Sequence, residues 1–159
     1  MKKTPTESLE AVLSKCRGQK HIIAIRGYPD PDSIGSAIAH SFICQHFDIE
    51  ALILYFDDIS HQENRALVKK LEIEMHRYHE GLDVSGFNRI SLVDSQSIEL
   101  PAEIDKLPIC TIVDHHKVQV VPKAEFTDIR EDSGSTCSIY SEYLAAGSIE
   151  LDRENPLCA

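Results

Sequence analysis

Four short apolar runs constrain this chain more than anything else in it. They are His21 to Arg26 (HIIAIR), Ala51 to Phe56 (ALILYF), Arg89 to Val93 (RISLV) and Ile109 to Val113 (ICTIV). None alternates apolar with polar at period two, so each reads as a strand covered on both faces. Helical patterns separate them: Thr6 to Arg17, stopped at Gly18; Ser33 to Phe47, with Ile34, Ala37, Ile38, Ser41 and Phe42 at helical spacing; His61 to Glu72; and Ser135 to Ala146, stopped at Gly147. Strands and helices in alternation predict an α/β fold, a three-layer sandwich with a mainly parallel sheet and helices on both faces. The stretch from Met75 to Gly86 gives no readable pattern.

In such sheets ligands bind beyond the carboxyl ends of the strands. That rule selects the loops after residues 26, 93 and 113, and each carries acidic or imidazole side chains. In Tyr28-Pro29-Asp30-Pro31-Asp32-Ser33-Ile34-Gly35-Ser36, two prolines stiffen the loop that presents Asp30 and Asp32. Asp94 follows the third run and Asp114-His115-His116-Lys117 the fourth. Singly these have ordinary readings: a turn, a cap, an exposed histidine pair. At like ends of parallel strands they make one metal or phosphate site, with carboxylate and imidazole suited to magnesium, manganese or zinc. Ser133 to Thr136 reads first as a helix cap. His40 and Cys44, four apart on one helix face, read as packing.

Composition narrows the partners. The formal net charge is −10 at 159 residues, the opposite of the basic stripe that a non-specific nucleic-acid coat needs. Duplex nucleic acid is therefore not expected, whereas a small anion reached through bound cations is. No apolar run approaches the ~20 residues of a membrane span, and Met1 to Lys15 lacks a secretory apolar core. The five cysteines are odd in number and form no CxxC pair, so neither a disulfide framework nor a zinc ribbon is expected. Three lie in apolar surroundings and read as packing residues of a reducing cytoplasm. Near the end, Asn155-Pro156 reads as a helix start with too little chain after it. A single domain spanning 1–159, cut short of its continuation, is the expectation.

Asp114-His115-His116 after an apolar strand resembles the signature of the DHH phosphoesterase superfamily. Pro29 to Ser36 resembles that family's first motif, Leu92-Val93-Asp94 its second, and Asp132 to Ile139 the small-residue segment that opens its next helix. The Asp-x-Ile-Gly-Ser wording is similar to the nanoRNase and phosphoadenosine-phosphate phosphatase branch. The resemblance implies hydrolysis of phosphoester bonds in small nucleotides or short oligonucleotides with up to two Mn2+ (or Mg2+) ions. It would put Asp30 on one metal, Asp32 and His115 on the other, and Asp94 between them. His116 would face the substrate phosphate and Asp114 would orient the histidine pair. A homodimer is compatible with this reading.

Two departures qualify it. Where the family's first motif starts with a histidine ligand, this chain has Arg26. A guanidinium has no lone pair to give, but it can bind a phosphate or pair with Asp30. The family's fourth-motif aspartate and its C-terminal substrate-binding domain also have no counterpart here. The first metal would thus lack two ligands, and the chain alone is expected to be weakly active or inactive. Two alternatives follow: a nucleotide-binding or regulatory domain without turnover, and an inorganic pyrophosphatase or polyphosphatase.

Overall fold

The computed structural model describes residues 2–147 and 149; the Asn155-Pro156 helix start and Cys158 lie outside them. The elements run α1 (Pro5–Leu13), a 3-10 turn (Ser14–Cys16), β1 (Lys20–Ile25), α2 (Pro31–His46), β2 (Glu50–Tyr55), α3 (Gln62–Lys70), β3 (His76–Arg77), β4 (Arg89–Val93), α4 (Ala102–Asp105), β5 (Ile109–Asp114), β6 (Ala124–Ile129) and α5 (Thr136–Ala146). Six strands form one sheet in the order β3-β2-β1-β4-β5-β6, and every pairing is parallel. This is the α/β architecture that the unalternating runs predict.

The central strands are buried because they carry apolar side chains on both faces. Ile22, Ile23, Ala24 and Ile25 of β1 have no exposed surface, and each isoleucine so buried contributes about 1.5–3 kcal/mol. Ile23 and Ile25 pack beneath α1, α2 and α5 with Leu9, Ala37, Ile43, Ile139 and Tyr140. Ile22 and Ala24 face the other side, where Ile104 of α4 and Val84 of the segment between β3 and β4 cover them. That second layer is mostly irregular chain, so Met75 to Gly86, opaque in sequence, is part of the cover.

Three elements escape the sequence reading: β3, α4 and β6. Another begins earlier than expected. Helix α2 starts at Pro31 rather than Ser33, with Asp30 as its N-cap; the Asp30 carboxylate accepts from Ser33 N at 2.8 Å, and the Ser33 hydroxyl accepts from Asp30 N at 3.0 Å. Proline at the first helical position has its φ already set for the helix. No helix among the described residues is long and apolar enough to cross a membrane.

Candidate metal centre

The chain winds outward from β1 in one direction and from β4 in the other, so β1 and β4 lie side by side at the reversal. Ligands bind at such a point. Ile25 is level with Val93, and Val93 with Val113. The residues that follow these three therefore emerge together at one edge of the sheet.

Asp94 is the pivot. It has a left-handed backbone, φ 56°, uncommon outside glycine but tolerated by aspartate, and its side chain is only 8 % exposed. Its Oδ1 accepts from Thr136 Oγ1 at 2.8 Å. Burial pushes its pKa up to about 7; the neighbouring Asp32 and Asp30 add to the rise, while the Thr136 hydrogen bond and His116 oppose it. Asp32 is treated differently. Burial alone would raise it, but the Cys137 and Thr136 amides at the start of α5 bond its two oxygens at 2.8 and 3.0 Å and hold it below the usual carboxylate range. Gly35 permits this approach, since a Cβ there would sit 2.7 Å from Cys137 Sγ.

His115 Nδ1 lies 3.2 Å from the Ser133 carbonyl, which fixes the proton on that nitrogen. The other nitrogen, Nε2, then turns its lone pair toward Asp32 Oδ2 at 3.4 Å and Asp94 Oδ1 at 3.6 Å. Both distances are too long for good hydrogen bonds. Ligands about 2.1 Å from a shared cation stand about 3.0–3.4 Å apart, close to this spacing. Lone pairs and carboxylates facing one another without a proton between them suit a divalent cation. Asp94, His115 and His116 also each place a ligand atom within 4.8 Å of the others.

His116 is more exposed. Its Nδ1 donates to Asp114 Oδ1 at 2.7 Å, and that bond, against some burial, raises the imidazole pKa. Asp114, 1 % exposed, accepts at its other oxygen from Gln96 Nε2 at 2.8 Å. The same amide group reaches the carbonyls of His116 and Lys117, and Gln96 Oε1 accepts from Gln119 N. Arg26, Asp30, Asp94, Gln96, Asp114 and His116 line a cleft of about 350 Å³. Arg26 is exposed there and makes no ion pair among the described residues.

Of the residues singled out from sequence, Asp32, Asp94, Asp114, His115 and His116 come together. Arg26 and Asp30 flank them, Asp30 engaged as the cap of α2. Sequence reasoning missed Gln96 altogether. It read Ser133 to Thr136 first as a helix cap; Ser135 does cap α5, accepting from Ser138 N, and Thr136 and the Ser133 carbonyl also bond Asp94 and His115 of the site.

Comparison with known proteins shows the family and the fold. The model of the DHH family N-terminal domain matches residues 21–157. An uncharacterized protein of Methanocaldococcus jannaschii is 33% identical over 126 residues, 79% of this chain and 26% of that protein, so the chain spans about a quarter of that relative's length. The crystal structure of an exopolyphosphatase-related protein from Bacteroides fragilis superposes with a TM-score of 0.66 at 14% identity, covering 87% of this chain and 43% of that one.

Proposed function

The chain belongs to the DHH family, and on that premise we propose that it serves metal-dependent hydrolysis of phosphoester bonds in small nucleotides or short oligonucleotides. The observation that carries this reading is the convergence of Asp32, Asp94 and His115 around one point, with His116 held beside them by Asp114.

Asp32, Asp94 and His115 would hold the cation, Mn2+ (or Mg2+), two carboxylates and one imidazole being a set that manganese accepts readily. When bound, such an ion supplies Lewis acidity to a phosphoryl oxygen and a nucleophile at neutral pH. The protein's own groups do the rest. Asp114 keeps His116 protonated on Nδ1 and favours its cationic form, so Nε2 presents a proton to a phosphate oxygen. Arg26, on the rim of the cleft, offers a planar fork for a second phosphate oxygen. The Thr136 and Cys137 amides hold Asp32 ionised, so it needs no proton loss before binding a cation.

Arg26 also supports a second reading. With an arginine where a histidine ligand belongs and Asp30 capping a helix, a first metal has few ligands, and nucleotide binding without turnover follows. One experiment separates the readings. The chain is incubated with manganese and phosphoadenosine phosphate, short oligonucleotides or pyrophosphate, and released phosphate and mononucleotide are measured. Weak turnover of a nucleotide substrate by the chain alone, lowered at least about 100-fold by Asp94→Ala, is expected, since even outer-shell losses cost about 10–100-fold. Binding without any turnover would leave the regulatory reading. Turnover of pyrophosphate alone would move the function to phosphoanhydrides.

A further inference from the structure

The opposite edge of the sheet holds a second group of side chains of metal-ligating type, with which the first site shares no residue. Cys16 ends the 3-10 turn after α1, His21 is the second residue of β1 and Cys110 the second of β5. All three have no exposed surface. The two sulfurs and a ring nitrogen of His21 lie within 4.8 Å of one another. Cys110 reaches this face because the β4–β5 register slips there: Ile90 is level with Ile109 but Ser91 with Thr111, so Cys110 is the extra residue of a bulge. Bulges re-aim side chains in this way.

The histidine is set up as a ligand. Gln19 Oε1 accepts from the Arg89 guanidinium, which identifies it as the oxygen, and it lies 3.2 Å from His21 Nε2. The His21 proton is therefore on Nε2. Nδ1 carries the lone pair, is buried, and has no hydrogen-bond partner among the described residues. A buried nitrogen left so is costly. Gln19 is the kind of outer partner that orients ligating histidines. Glu125 pairs with Arg89 at 2.7 Å and compensates its charge.

We propose that Cys16, His21 and Cys110 form a structural site for a soft, thiophilic cation of the zinc or copper(I) class, separate from the hydrolytic centre. Two thiolates and a neutral imidazole match the softness of such ions and disfavour manganese or magnesium. Binding releases two thiol protons to solvent, so a divalent ion makes the buried group neutral overall. Thiolates 2.3 Å from zinc stand about 3.8 Å apart, so inward shifts of about 1 Å or less close the site. From Cys110 to Asp114 the strand spans about 13 Å, at ~3.3 Å per residue, which keeps the two centres apart.

Cadmium, a thiophilic probe with a thiolate charge-transfer band in the ultraviolet, tests this on the full chain under reducing conditions, in an Asp94→Ala background. The expected result is a band saturating at one equivalent, abolished by combined Cys16→Ala and Cys110→Ala, with affinity weakened more than about tenfold by His21→Gln. No band with excess cadmium on folded protein overturns the proposal. So does a band that survives the double substitution and disappears with Cys137→Ala. If the double variant fails to fold, cadmium-nucleus NMR of the Asp94→Ala protein decides: a shift in the two-thiolate range supports the site, and one in the oxygen-ligand range overturns it.

Discussion

Gln96 shows how one side chain can govern a centre through the residues it holds. Its amide nitrogen bonds Asp114 and the carbonyls of His116 and Lys117, so the whole Asp114–Lys117 loop hangs on it. Replacing it with alanine leaves a buried carboxylate oxygen and two carbonyls short of a donor. Gln96→Ala is expected to lower kcat/KM about 10–100-fold, and Gln96→Glu to lower it further by facing Asp114 with a second carboxylate; steady-state kinetics of both variants checks this. At this scale the sequence reveals the candidate ligands and hides the residues that position them. Asp94, Asp114 and His115 stand at strand ends, where topology alone marks them. Gln96 and Thr136 act through bonds to residues 18 and 42 positions away, and nothing local announces such a partner.

Among the elements, the α2–α5 contact decides whether Asp32 is held. The two helices meet where Gly35 lies under Cys137, and the α5 amides fall on the Asp32 carboxylate as a result. Gly35→Ala brings a methyl group to 2.7 Å from that sulfur. The expected cost is about 1–3 kcal/mol of stability, as for other overpacked contacts, together with weaker manganese binding as the helices separate. Thermal melting and a manganese titration on the same variant read both effects. The apolar strands were legible because burial on two faces leaves a continuous run. Strands β3 and β6 were not: both residues of β3 are exposed, and β6 buries only Phe126, so neither needs the pattern that marks a central strand. The start of α2 was missed because two prolines read as loop, although the second of them is a helix opener.

For the molecule as a whole, the buried layer under α2 makes stability depend on pH. His40 has no exposed surface; its Nδ1 lies 3.1 Å from the Tyr140 hydroxyl, and its Nε2 has no partner among the described residues. Burial, with a smaller effect of His21, depresses its pKa from 6.5 to about 3. Between those values the unfolded chain takes up a proton that the folded chain refuses. The contribution of this one group to stability is therefore complete above pH 6.5 and falls as pH drops through the window, by about 1.4 kcal/mol per pH unit. Urea unfolding across that range should show a shallower decline in His40→Leu than in the parent. The sheet order has a different consequence. Asp30 and Asp32 come from the wing built on β1 to β3, and Asp94, His115 and His116 from the wing built on β4 to β6. The set Asp32, Asp94 and His115 draws on both wings, and one run of chain, residues 78–88, joins them. The centre therefore behaves as a logical conjunction of two half-sites: a chain nicked within that run would keep that three-donor set only while its two pieces remain joined along β1 and β4 and through α2 and α5.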